Sequence, residues 1–378
     1  MRIFYAAATS LNTAFESDLL RNNLYLSLIG LGHEVIEFDY DLRETFKNID
    51  STNPEQSKFI RKNRLKLSRE LLGQIKEAHE YKPVDLFFSY FYDSCIFPET
   101  IDEIKKMGIK TVNFNGFHQL HLVKEISPHY DWCLVPDKSS LEDYKEIGAA
   151  PVYCQQAANP VIYRSYDIPY EYDVTFVGQA YGSRPEYIRY LLDQKIDVRV
   201  WGLGWQNYSA VGRIKSLSGR GLKTLLSGVI KEFLDFIESS FNKEKESRIK
   251  LPYRKTGPVL SDTRMVKVFN QSKINLGFSD TTMDNERSPQ VCLRDIEIPM
   301  SGGFYMTQYT KELEEFFEIG KEIVCYIDKK DMSDKVKYYL RNDSVRENIR
   351  QAGYERCLRD HTWHKRFEIA FKEMKLVK

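Results

Sequence analysis

The sequence predicts an α/β chain built from two successive Rossmann-like halves. Strand-like apolar runs alternate with amphipathic helical stretches almost throughout. A break rich in proline and tyrosine interrupts that alternation near the middle. The 378 residues are also too many for one ordinary core and suit two domains.

The first half opens with a strand over Met1–Ala7, a helix over Phe15–Gly30 and a strand over Glu34–Phe38. A charged excursion runs to about Tyr81. Strands at Asp85–Phe91, Lys110–Phe114, Asp131–Val135 and Val152–Ala157 complete this half. Short connections between strands and helices imply parallel strands covered by helices. Asn159-Pro160, Pro169 and the tyrosine-rich stretch Tyr163–Tyr172 mark a linker. The second series has strands at Tyr172–Val177, Asp197–Trp201, Lys273–Phe278, Gly303–Met306 and Glu322–Tyr326, with helices from Ser333 onward. The expected domains are residues 1–158 and 159–360, with a terminal helix over 361–378. A cleft between two such halves is a favoured place for a ligand.

One segment departs from this plan. Residues 206–255 form an insertion in which Leu222, Leu225, Leu226, Val229, Ile230, Phe233, Ile237 and Phe241 recur at helical spacing. Arg213, Lys215, Arg220 and Lys223 precede this stripe; Lys243, Lys245, Arg248, Lys250, Arg254 and Lys255 follow it. The plain reading is a packed helix with a solvated face. The sharper reading is peripheral contact of residues 213–255 with anionic lipid or a lipid-linked acceptor.

Composition narrows the class. With 42% hydrophobic and 29% charged residues the chain is a folded, soluble type. A net charge of +1 supplies no field for nucleic acid, and no nucleic-acid motif is visible. Cys95, Cys133, Cys154, Cys292, Cys325 and Cys357 form no C-x-x-C pair or zinc-ligand cluster, so they read as small hydrophobes in a reducing compartment. The N-terminus lacks the apolar region of a signal peptide, and no run of about 18 apolar residues exists. The expected location is cytoplasmic.

Three segments could do chemistry. In Val177-Gly178-Gln179-Ala180-Tyr181-Gly182-Ser183-Arg184-Pro185-Glu186 a strand ends, a glycine turn follows and a helix begins. Ser183 and Glu186 have capping-box spacing, and Pro185 suits a first turn. Free helix N–H groups, Gly178, Gln179 and Arg184 there suit a diphosphate. In Val198-Arg199-Val200-Trp201-Gly202-Leu203-Gly204-Trp205 another strand ends in a glycine turn, with Trp201 expected to pack and Trp205 available to wall a pocket or stack on a base. The third segment runs from Ser288-Pro289-Gln290 to Ser301-Gly302-Gly303. Ser288-Pro289 reads as a helix start and Pro299 as its stop. Gln290, Arg294 and Glu297 then share one helix face. A carboxylate there can accept hydrogen bonds from two ribose hydroxyls, and a guanidinium offsets diphosphate charge. Gly302-Gly303 permits close backbone approach.

The run Glu297-Ile298-Pro299-Met300-Ser301-Gly302-Gly303-Phe304-Tyr305-Met306-Thr307 resembles the nucleotide-sugar motif of GT-B glycosyltransferases, in which a glutamate opens E-A-M-A-C-G and holds the ribose. The string from Lys273 to Phe304 closely resembles glycosyltransferases related to spore-maturation protein CgeB. So do Tyr172–Gln179, Leu313–Val324 and Gln351–Arg356. Cys357–Phe367, with His361-Thr362-Trp363-His364, resembles that family's closing helix, which in GT-B folds often crosses back to the first domain. The similarity covers the chain from about Lys110 onward. It implies a GT-B fold and transfer of a hexose from a nucleoside diphosphate sugar, a UDP-sugar foremost. The acceptor would be a glycan, lipid-linked or protein group, as in cell-surface glycan biosynthesis. It implies no separate cofactor and no metal, with Arg184, Arg294 and helix N-termini stabilising the leaving diphosphate. Fold analogy favours retention of anomeric configuration.

Two departures stand out. Retaining relatives often carry a second glutamate where this chain has Pro289, and Gln290 is the nearest polar substitute. Family members often carry two acidic residues after the strand Thr111–Phe114, where this chain has Asn115-Gly116-Phe117-His118. His118 is therefore a candidate donor-sugar contact or base. The acceptor is expected near the turn Ala6–Thr13. Rival readings are a non-catalytic nucleotide-sugar or glycan-binding protein and a GT-B sugar-nucleotide epimerase. A nicotinamide-dependent dehydrogenase is disfavoured, because Ala6–Asn12 lacks G-x-G-x-x-G spacing.

Overall fold

The computed structural model describes residues 1–7, 18–116, 120–208, 249–279 and 291–377. They fold as two compact units. One comprises Met1–Asn159 with Trp363–Lys378, the other Pro160–Thr362.

The first unit holds an all-parallel sheet of β1 (Arg2–Ala6), β2 (Glu34–Glu37), β3 (Leu86–Ser89), β4 (Lys110–Phe114), β5 (Trp132–Val135) and β6 (Pro151–Tyr153) in the order β2-β1-β3-β4-β5-β6. The chain reverses its winding between β1 and β3. Phe4 lies opposite both Ile36 and Phe87. Every residue of β1 and β3 is buried, as expected of central parallel strands covered on both faces. The helix Trp363–Glu373 completes this core. Its Trp363 meets Phe114 edge-on at 5.5 Å, and its Phe367 meets Phe88 edge-on at 5.8 Å.

The charged excursion before Tyr81 is in fact a helix, Pro54–Tyr81. Asn53 caps it by accepting hydrogen bonds from the Glu55 and Gln56 N–H groups at 3.0 and 3.2 Å, and Pro54 occupies the first turn. Only a narrow seam, Ile60, Leu67, Leu71 and Ile75, is apolar and buried, which hides the period among charges. The expected helix Phe15–Gly30 is described from Leu19 on, as a wide turn over Arg21–Tyr25 continuing into Leu26–Gly30.

The second unit carries β7 (Tyr172–Val177), β8 (Val198–Trp201), β9 (Thr256–Gly257), β10 (Ser272–Leu276), β11 (Tyr305–Gln308) and β12 (Val324–Tyr326) in the parallel order β12-β11-β10-β7-β8-β9. Here the winding reverses between β7 and β10. The two-residue edge strand β9 has no sequence pattern. Trp201 lies over Gly257, as the expected packing role requires, and a Cβ at that glycine would come within 2.3 Å of the indole. The segment after Asn159 is strapped to this unit. Tyr166 N–H donates to Asn270 Oδ1 at 2.8 Å, and the Tyr170 hydroxyl donates to Glu347 at 2.6 Å.

Three local expectations need correction. Ser183 does not cap the helix Arg184–Asp193 with its side chain, and Glu186 is drawn instead into an ion pair with Lys329. The helix bearing Glu297 runs over Leu293–Met300, with Cys292 as its cap, so Ser288 does not start it. Pro299 sits inside its last turn, and the helix ends one residue later. The insertion's apolar stripe and most of its basic residues lie outside the described residues. Of the rest, Lys255 pairs with Asp197. Among the described residues no helix is long and apolar enough to cross a membrane.

Candidate functional site

The carboxyl ends of β7 and β10, where the winding reverses, are the usual place for a ligand in an open parallel sheet. At the end of β7 three consecutive carbonyls are each held by a side chain, two of them from distant parts of the unit and one from the helix that follows. Arg294 Nε donates to the Val177 oxygen at 3.2 Å, Trp205 Nε1 to that of Gly178 at 2.7 Å, and Arg184 Nη1 to that of Gln179 at 3.2 Å. Carbonyls partly withdrawn from water need donors, and here indole and guanidinium groups supply them. The result is a turn fixed from three directions.

The glycines around this turn have packing reasons. Gly202 has φ +142°, and a Cβ there would lie 2.1 Å from the Gly178 oxygen. Gly204 has φ +85° and presses on Ala180. A Cβ on Gly178 would strike the Phe176 ring at 2.5 Å. Gly302, at φ +74°, receives Ser165 of the strap, 2.7 Å from where its Cβ would stand. Gly303 closes against Asn275 and Ile298. At Gly302 and Gly303 the space left by the missing side chains is filled by the protein itself rather than left for a ligand.

Trp205 also departs from expectation. It is 0% exposed, edge-on to Phe176 at 5.8 Å, so no ring face is available to stack on a base. Arg184 is 8% exposed and lies 3.8 Å over the Tyr181 ring and 5.4 Å from that of Phe176. It is a buried aromatic-clamped arginine that holds the turn, and not an exposed charge at a helix start.

Arg294 and Glu297 are brought together as their i, i+3 spacing requires, in an ion pair. Glu297 is 0% exposed and Arg294 is 29% exposed. Arg294 thus joins the β7 turn to a buried carboxylate with one guanidinium. Glu297 Oε1 is buried and accepts no hydrogen bond of standard geometry, although the Tyr163 phenol comes near enough to interact with the carboxylate. Tyr163, from the strap, is buried beside this carboxylate. Its phenol proton is held well above the usual range by burial first and by Glu297 second. Burial works against the Arg294 charge, but Glu297 and Tyr163 outweigh it and raise its pKa. Sequence reasoning missed Tyr163 because a strap has no periodicity.

The neighbouring Asp295 was also missed. It is fully buried, accepts from Cys292 N–H at 2.6 Å and from the Tyr305 hydroxyl at 2.7 Å, and has its pKa raised by burial. The three-residue spacing of Cys292 and Asp295 is that of a reciprocal helix cap, a signal the sequence did contain. His118, Gln290 and the turn residues 8–13 lie outside the described residues.

Chemically, the arrangement offers a partly exposed guanidinium, a turn with its carbonyls tied back, and a buried carboxylate with one oxygen that accepts no hydrogen bond of standard geometry. Those are groups for a polyhydroxylated anion.

Residues 184–371 match the family model described as glycosyl transferase-like. No curated protein sequence matches the chain. Among solved structures, sucrose-phosphate synthase from Thermosynechococcus elongatus is similar with a TM-score of 0.58 at 9% identity, covering 100% of this chain and 99% of its own. Anabaena HepE, solved in complex with UDP-glucose, has a TM-score of 0.57 at 9% identity, with 100% of both chains covered. A glycosyltransferase of avilamycin A biosynthesis has a TM-score of 0.56 at 13% identity, covering 99% of this chain and 97% of its own. Two parallel six-stranded sheets flanked by helices give this chain the fold of the GT-B glycosyltransferases, and its residues 184–371 are similar to the glycosyl transferase-like family.

Proposed function

We propose that this protein transfers a hexosyl group from a nucleoside diphosphate sugar, a uridine nucleotide foremost, to a glycan, lipid-linked or protein acceptor. The observation that carries the reading is Glu297, whose carboxylate is buried at the winding reversal and paired with Arg294 through one oxygen, while the other accepts no hydrogen bond of standard geometry. A ribose hydroxyl is the donor that such an oxygen suits. The glycosyl transferase-like match over residues 184–371 supports it, as does the UDP-glucose bound by the structurally similar HepE.

In this reading Arg294 and backbone N–H groups of the turn after β7 stabilise the departing diphosphate without a metal, since a fixed positive group performs that task at no reorganisation cost. Arg184 acts through the turn it holds. The acceptor binds the first unit near Ala6–Thr13, with His118 as the candidate base. The narrower kinship with CgeB-related glycosyltransferases rests on the strings around Lys273–Phe304 and Tyr172–Gln179. Cytoplasmic location and contact of residues 213–255 with anionic lipid are proposed from sequence alone. Neutralising Lys243, Lys245, Arg248 and Lys250 should then lower binding to anionic vesicles.

Purified protein incubated with UDP-glucose and UDP-N-acetylglucosamine should release UDP, and Glu297→Ala should abolish release. Equal release by both proteins would sink the assignment. Pro289, standing where retaining relatives carry a glutamate, favours a second reading as a nucleotide-sugar-binding protein. Tight UDP binding without turnover on any sugar would select it.

A further inference from the structure

The helix Leu293–Met300 is attached to the sheet at two places on either side of β10. Arg294 reaches β7 through the Val177 carbonyl. Its neighbour Asp295 reaches β11 through the Tyr305 hydroxyl at 2.7 Å. In the sheet order β11-β10-β7 the helix therefore straddles β10 with one hold on each flanking strand.

The crossing needs a gap in the strand beneath. Gly277, just beyond β10, provides it, because a Cβ there would stand 1.8 Å from the Tyr305 hydroxyl oxygen. The second oxygen of Asp295 accepts from Cys292 N–H at 2.6 Å, which closes the first turn of the helix. Successive helical residues point about 100° apart, so holds on residues 294 and 295 fix rotation about the helix axis as well as position. No arginine or lysine ion-pairs with Asp295 among the described residues. A carboxylate buried without a cation is costly, and a neutral glutamine at this third helical position could reach back to the N-cap N–H as well, so capping alone does not account for it.

We propose that Asp295 and Tyr305 are a positioning pair that sets how Arg294 and Glu297 meet the nucleotide. The inference rests on the donor-site reading given above. The pair touches no substrate. It holds the helix at the rotation in which the guanidinium spans the β7 turn and the Glu297 carboxylate, and its loss lets both swing away from that geometry.

The test is calorimetric titration of the full chain with UDP, alongside thermal denaturation of each variant. Tyr305→Phe removes only the hydroxyl, and Asp295→Ala removes its partner. Each should weaken UDP binding by about tenfold, the equivalent of one lost hydrogen bond. The double variant should be no worse than Asp295→Ala alone, because once the carboxylate is gone the Tyr305 hydroxyl has no link left to lose. Asp295→Asn should stay within about threefold of wild type, since its amide can donate to the Tyr305 oxygen while its carbonyl accepts from Cys292. Tyr326→Phe is the structural control. Its hydroxyl donates to the Gly277 carbonyl at 2.7 Å in the same region, so it should lower the melting temperature with UDP affinity unchanged. If Tyr305→Phe lowers the melting temperature yet binds UDP like wild type, while Glu297→Ala loses binding, the pair is merely structural and the proposal is overturned. If wild type fails to bind UDP, or Glu297→Ala binds it normally, the donor-site reading falls and the positioning role falls with it.

Discussion

Arg294 Nε donates to the Val177 carbonyl at 3.2 Å, so the helix that carries Glu297 is tied by a side chain to the end of β7. The same guanidinium neutralises a buried carboxylate. Removing it should therefore harm stability and ligand binding together. Arg294→Ala leaves Glu297 buried and unpaired, at an expected loss of about 3–5 kcal/mol in urea denaturation. Arg294→Lys keeps the charge but lacks the planar fork, so it should recover part of the stability and little of the UDP affinity. Full affinity in the lysine variant would mean that charge alone matters here.

Positive φ has different consequences at Gly202 and Gly148. Gly202, at +142°, abuts the Gly178 carbonyl, whereas Gly148, at +84°, has nothing within 4 Å of where a Cβ would go. Gly148→Ala should lose only the conformational term of about 1–2 kcal/mol. Gly202→Ala adds a clash in the turn, and its expected loss exceeds about 3 kcal/mol. Denaturation curves of the two variants should differ clearly, and similar midpoint shifts would show that the turn can yield.

Gly73 gives a prediction of opposite sign. It is exposed in the middle of the helix Pro54–Tyr81 with no atom near a built Cβ. Gly73→Ala should stabilise the first unit by about 0.5–1 kcal/mol, because alanine loses less backbone freedom on folding. A lowered melting temperature would indicate a contact on that face.

Asp93 makes the stability of the first unit depend on pH. Burial pushes its carboxyl up to about 6, against backbone N–H donors from Glu125 and Ile126 that favour the charge. Between pH 4 and 6 the unfolded chain has largely released this proton while the folded chain keeps it. The Asp93 contribution to stability therefore declines as pH rises through that window and is lowest above it. Asp93→Asn should flatten this part of a melting-temperature profile. An unchanged slope would assign the window to other groups.

The sheets were legible because parallel strands buried on both faces read as short apolar runs. All but β9 could be located, and β9 is two residues at an edge with no pattern to detect. The helix Pro54–Tyr81 escaped because four buried positions carry its seam through a charged stretch, although Asn53-Pro54 marked its start. The pairing of Arg294 with Glu297 followed from their spacing. The clamping of Arg184, the burial of Trp205 and the arrival of Tyr163 did not, because each depends on which distant segment folds over it. Glycine-rich turns misled for a related reason. A missing side chain makes room, but sequence does not say whether a ligand or Ser165 takes it.

The first unit is discontinuous. Trp363, Phe367 and Phe371 belong to its core, yet all of Pro160–Thr362 separates them from the rest of it. During synthesis the second unit therefore emerges whole before the first can close. Until then Phe88 lacks Phe367 and Phe114 lacks Trp363, and the nascent amino-terminal half presents an oily, unfinished surface that chaperones would recognise.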